Sequence, residues 1–233
     1  MRLREGRIGR REAIAAAAVS LCMNGIFAID GAYAYSGGNS TYVTVPLAAL
    51  FSLLPVLLLV FSMERCGSTS LSEHLLGVMG CVFGRLLAVL LGFALVICAA
   101  LPLAAFAQVL HKLVYDGVKY SAILAFIFPV TVFTAIKGFE SIGRTALCIA
   151  GFLLASFAAA LISASNGYEL YRLYPLMGGG AAHVASFSLS ETLAFMPPLT
   201  ALAVCAEALQ GLDNVRRSAC GASLVSAAVC LAA

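Results

Sequence analysis

"CMNGIFAIDGAYAYSGGNS", residues 22–40, is the stretch on which the reading of the whole chain turns. It continues an apolar run that begins at Ala13, yet it carries Asn24, Gly25, Asp30 and Gly31 and ends in Gly-Gly-Asn-Ser. A helix facing only lipid has no use for these residues. A polar side chain in hydrocarbon needs a partner, and glycine weakens a helix interior. Two explanations stand. Either the helix is interrupted at Asn24-Gly25, where its freed backbone faces protein or a watery cavity, or Gly25 is a notch for close packing. Asp30 falls five or six residues before the end of the run, so at about 1.5 Å per residue it reaches the membrane interface. That gives it an outer-vestibule, gating position.

Composition sets the frame. The 233 residues are 62% hydrophobic and 11% charged, with a mean hydropathy of +1.00. Soluble domains carry about 25% charged residues, so this chain has too little polar surface for a water-soluble globule. It reads as an all-α polytopic membrane protein in contact with the lipid bilayer. A bilayer core takes about 20 apolar residues per helix. Six full spans fit, at about 13–35, 43–63, 86–110, 120–136, 145–164 and within 181–210. An incomplete seventh starts near Ser218 and is cut at Ala233, which points to a fragment or truncated gene product. The net charge of +3 is spread over the loops with no separate basic stripe, so no nucleic acid partner is implied.

The placement of Lys and Arg gives an orientation. With the N-terminus inside, eleven basic residues lie on the cytoplasmic side. Only Lys112, Lys119 and Arg172 lie outside. Residues 1–12 then form a cytoplasmic basic N-terminus, and 13–233 a single transmembrane domain. A basic start followed by an apolar run and Ala32-Tyr33-Ala34 also fits a cleavable signal. The N-terminal sequence of the mature protein distinguishes the two.

The chemistry-bearing residues favour binding over catalysis. Neither HExxH nor GxSxG occurs, and His74, His111 and His183 sit at or near loops. No CxxC or zinc-spaced Cys/His cluster occurs among the eight cysteines, which read as small packing residues. No cofactor is implied. Phe195-Met196-Pro197-Pro198 is the second candidate interruption, or else a proline kink in an unbroken helix, because each proline lacks an amide donor and disfavours the preceding turn. Transporters bind solutes between such paired breaks. Glu191, four residues before Phe195, is a further gating candidate, and Glu207 is expected near the inner end of its span. Residues 68–84 place Leu71, Leu75, Leu76 and Met79 on one face and predict an amphipathic interfacial helix. Gly80 and Gly84 in that segment form a GxxxG. Residues 165–180 form a Tyr-rich loop ending in three glycines.

Several segments, taken in order, resemble the spore germinant receptor B subunits of the spore permease family. "NGIFAI" (24–29) resembles that family's first-span Gly-Ile segment, and "TYVTVPLAAL" (41–50) the start of its second span. "KGFESIGRTA" (137–146) resembles the loop between spans four and five, where Glu140 and Arg144 can pair at i, i+4. "YRLYPLMGGG" (171–180) is similar to its long outside loop. The resemblance covers most of residues 10–230.

It implies a LeuT/APC-like inverted-repeat bundle, with the first repeat at about 13–164 and the start of the second at about 181–233. Spans eight to ten of that fold are not in this sequence. It also implies a subunit of a spore inner-membrane receptor, working with A and C subunits and binding a small germinant such as an amino acid. The ligand would meet Asn24, Gly25, Ile26, Phe195, Met196, Pro197 and Thr200, with Phe106 as a wall, and Pro198 would shape the sixth span. An amino-acid permease and an inactive fragment are the alternatives. One departure matters: Pro197 and Pro198 stand where the family has glycines, and proline offers no N–H to an anion.

Overall fold

The computed structural model describes residues 8–28, 40–115, 117–164 and 180–232, all helix and short connections, with no strand among them. The helices are α1 (Arg10–Ala28), α2 (Thr41–Phe51), α3 (Leu53–Cys66), α4 (Leu71–Leu113), α5 (Tyr120–Ile136), α6 (Phe139–Ala164), α7 (Ala181–Val204) and α8 (Leu212–Ala232). Four segments are long and apolar enough to cross a membrane: Thr41–Cys66, Leu71–Lys112, Phe139–Ser163 and Ala181–Val204. This is fewer than the six full spans expected. α5 has only 17 residues, about 25 Å of helix against a core of about 30 Å. The outer part of the first span lies outside the described residues.

Local chemistry accounts for the element boundaries. α1 is rich in alanine, the best helix former, and the Gly9 amide donates to Glu12 Oε2 at 3.1 Å ahead of its first turn. α2 and α3 form one span with a turn at Ser52. Pro55 has no N–H for the Phe51 carbonyl, which weakens the helix there. α3 ends at Gly67, in the left-handed region with φ 65°, and the Ser68 amide returns to the Met63 carbonyl at 3.1 Å. α4 opens on a capping box: Ser70 accepts from the Glu73 amide, and Glu73 accepts from the Thr69 amide and hydroxyl.

The expected amphipathic segment is the first leg of α4. A kink at Gly80, with φ 79° and ψ 172°, separates it from the long span. Gly84 then lets the two legs meet backbone to backbone. A Cβ at Gly84 would stand 2.7 Å from the Leu75 carbonyl oxygen.

The core lies between α1, α2, α7 and α8, with part of α3. It is built largely from small residues, among them Ala17, Ala48, Ala203 and Ala222, around the fully buried Leu21, Val56, Phe195 and Leu199. Lipid tails are as apolar as these side chains, so close packing rather than water exclusion holds such helices together. Pairs of contacts set the directions. Ile14 lies against Gly221 and Gly25 against Cys230, so α1 and α8 run parallel. Ile8 N donates to the Ala208 carbonyl at 3.1 Å and Asn24 bonds to Ala194, so α1 and α7 run antiparallel. Large apolar side chains on α4, α5 and α6 face outward, including Phe83, Phe93, Phe126, Phe152 and Ile162. In water so large an apolar surface would be a liability; in a bilayer it is the solvated face.

Neither expected break exists as unwound backbone. α1 is continuous through Asn24 and Gly25, and α7 is continuous through Phe195–Pro198. Gly25 instead serves as the packing notch. A Cβ there would meet Cys230 Sγ at 2.7 Å, with Val45 and Phe195 behind it. Gly25→Ala should therefore cost about 1–3 kcal/mol by overpacking, and adding Cys230→Ala should recover most of that loss. Thermal unfolding of both variants in detergent checks this. In the same assay Gly84→Val should destabilise more than Gly25→Ala, because the atom in its way is backbone and cannot swing aside.

Candidate functional site

Three prolines shape one region. Pro102 lies within α4, and Pro197 and Pro198 within α7. A proline inside a helix leaves the carbonyl four residues earlier without its usual amide partner. The carbonyls so released are those of Cys98, Leu193 and Ala194. Asn24 meets one of them: its Nδ2 donates to the Ala194 oxygen at 2.9 Å, across 170 residues of sequence. The asparagine that looked out of place in an apolar run is thus an inter-helix donor, matched to an acceptor that Pro198 sets free.

Two cavities flank this bond. One of about 500 Å³ is bounded by Ser20, Met23 and Asn24 of α1, Cys98 and Phe106 of α4, and Pro197 and Pro198 of α7. The other, about 450 Å³, shares Asn24, Cys98, Pro102 and Pro197 with the first. It is bounded by Cys98, Pro102, Glu191, Leu193, Ala194 and Pro197, among others. Both fall in the size range of small-molecule sites, and both have mostly apolar walls with a few polar groups. A third cavity of about 300 Å³ shares Val19, Ser20, Pro198 and Ala201 with the first and extends toward Thr134, Phe139 and Thr145.

The expected ligand residues divide into four groups. Asn24, Phe106 and Pro197 line the cavities, as do Pro198 and Glu191 from the gating set. Glu191 is only 3% exposed, a carboxylate taken almost wholly out of solvent. Gly25 and Phe195 face the core behind the wall. Ile26 points elsewhere, into an apolar cavity shared with α6 and α8. Met196 and Thr200 line neither main cavity, and the Thr200 hydroxyl donates to the Pro197 carbonyl at 2.9 Å. Asp30 and most of the Tyr-rich loop lie outside the described residues. Sequence reasoning missed Cys98 and Pro102; the available signal was a proline inside the long uncharged run of α4.

At the Arg10 end of the bundle, Glu140 and Arg144 form the expected ion pair. Arg144 also stands 3.9 Å from Glu12 of α1. Glu207 is exposed in the turn after α7.

An all-α bundle with four long apolar helices and an outward apolar surface is a polytopic membrane protein. Residues 13–232 match the spore permease family, described as a spore germination protein, and the chain belongs to that family. Its members are permease- and receptor-like membrane proteins. No curated protein and no solved structure matches the chain.

The Asn24–Ala194 bond should be worth about 1 kcal/mol. Asn24→Ala should lose this in the wild type but lose little in a Pro198→Ala background, where the restored amide at 198 can satisfy the Ala194 carbonyl. A double-mutant cycle on unfolding in detergent measures that coupling, and additive losses would mean the bond carries none.

Proposed function

We propose that this chain is the membrane-embedded, ligand-sensing subunit of a spore germinant receptor. It binds a small germinant in the cavities beside Asn24 and passes the change to A and C partner subunits in the spore inner membrane. The observation that carries this reading is the pair of cavities around the Asn24–Ala194 bond, in a chain of the spore germination family. Asn24, Phe106, Pro197, Pro198 and Glu191 form the site. Gly25 and Phe195 hold α1 and α7 in place behind it. A ligand shifts such a protein only through different affinities for two arrangements of its helices. The Glu12–Arg144–Glu140 cluster is a contact that a tilt of α1 would change. The Lys and Arg distribution supports a cytoplasmic N-terminus.

The third cavity favours a second reading, a carrier. Together the three cavities extend along α7 from Ser190 to Leu202, about 18 Å of helix, toward the end that carries Arg144.

The test uses spores that lack their own receptors and express this chain with its partner subunits. Ala99→Phe adds bulk to the first cavity without touching the core. It should raise the germinant concentration needed for half-maximal loss of optical density at least tenfold, at unchanged protein level. An unaltered dose–response would remove the cavity from the sensing role. Uptake of labelled solute into proteoliposomes holding this chain alone would establish the carrier instead.

A further inference from the structure

We infer that the groove between α3 and α8 holds a membrane phospholipid with a zwitterionic headgroup, its acyl chain along α3 and its phosphate at Arg216. The groove is separate from the cavities beside Asn24. Its volume is about 460 Å³. It is bounded by Leu50 of α2, by Leu54, Leu58, Phe61 and Glu64 of α3, and by Arg216 of α8. The other residues on its wall are leucine or valine.

Polarity changes in one direction along it. Leu54, Leu58 and Phe61 follow at steps of four and three and share one helix face. All three are more than half exposed, so the groove opens on the surface that faces lipid. Among the described residues no hydroxyl or side-chain amide lies on its wall. A sugar, an amino acid or a row of waters would find no partner along the apolar part. The charges are gathered at the far end, at Glu64 and Arg216. Leu54 stands ten positions before Glu64, about 15 Å of helix, and one leaflet of a hydrocarbon core of about 30 Å has that depth. An acyl chain fits this length with its head at the charged end.

The charges select the headgroup. Arg216 gives Nη2 to Asp213 Oδ1 at 3.2 Å, and Arg217 gives Nη2 to Asp213 Oδ2 at 2.9 Å. One carboxylate serves two guanidinium groups, which leaves positive charge in excess at the start of α8. Glu64 makes no ion pair among the described residues. The polar end therefore offers one surplus cation and one surplus anion. A phosphate meets a guanidinium in charge-assisted hydrogen bonds, and a primary ammonium meets a carboxylate in the same way. A phosphoethanolamine headgroup carries both charges on one short linker. A headgroup with negative charge alone would leave Glu64 opposed to it.

The chain has no tryptophan, so Leu58→Trp places a single reporter in the groove, six positions or about 9 Å from Glu64. The full chain is reconstituted into vesicles of equal parts phosphatidylethanolamine and phosphatidylglycerol, with one lipid or the other brominated in mid-chain to quench the reporter on contact. Brominated phosphatidylethanolamine should quench Leu58→Trp at least twice as strongly as brominated phosphatidylglycerol. Phe152→Trp, on the exposed face of α6, should be quenched equally by the two. Adding Glu64→Gln should bring the ratio at Leu58→Trp down to that of the control. Phe61→Trp, also in the groove, repeats the comparison if the first reporter blocks entry. Equal quenching by the two lipids at both groove reporters would mean ordinary boundary lipid and would overturn the inference. Stronger quenching by phosphatidylglycerol would overturn it in favour of an anionic lipid. Quenching by neither would mean that protein covers the groove, a second copy of this chain or another subunit, and would overturn it as well.

Discussion

A carbonyl without its amide is the constraint on which this molecule depends. Within hydrocarbon no water is available to satisfy a backbone group, so every proline inside a span creates an obligation. Pro198 leaves the Ala194 oxygen unmatched, and Asn24 of α1 meets it. That bond ties α1 to α7 beside the cavities that Pro102, Pro197 and Pro198 help to line.

The rest of the bundle follows the rules of a lipid solvent. Two buried hydroxyls of α7 return to their own helix: Ser188 and Thr192 donate to carbonyls four residues back, at 2.7 and 2.9 Å. His74, at 7% exposure, is held on both ring nitrogens by Ser62 and Ser68. Alanines let α1, α2, α7 and α8 approach closely. Lys137 and Arg65 place their charges over the rings of Phe133 and Phe61.

The helices were legible in the sequence because hydropathy in a membrane chain is a direct record of the solvent. The cavity was half legible. Asn24 and Pro197 stood out because polar groups and missing amides in an apolar run demand partners. The manner of their matching was not readable. Asn24 and Gly25 look like one weak point in the sequence, yet successive residues on a helix point about 100° apart. Asn24 faces α7 and Gly25 faces Cys230 and Val45. A side-chain amide repairs the backbone without any unwinding, and such a repair spans 170 residues of sequence, beyond any local pattern. Pro102 went unmarked because its meaning arises only where α4 meets the other two helices. The sharp turn at Gly80 was hidden for a related reason: glycine permits a positive φ but does not require one.

Because α1 is continuous helix from Arg10 past Asn24, a tilt about the Asn24 bond would move its start as a lever. Fourteen residues separate Asn24 from Arg10, where α1 begins, about 21 Å of helix. Rocking by about 5° around that pivot would sweep the Ile8 end through about 2 Å. That is enough to part the Ile8 amide from the Ala208 oxygen, now 3.1 Å away, and to change the reach of Arg144 to Glu12. A small tilt of α1 about Asn24 would thus be felt at the contacts that Ile8 and Glu12 make.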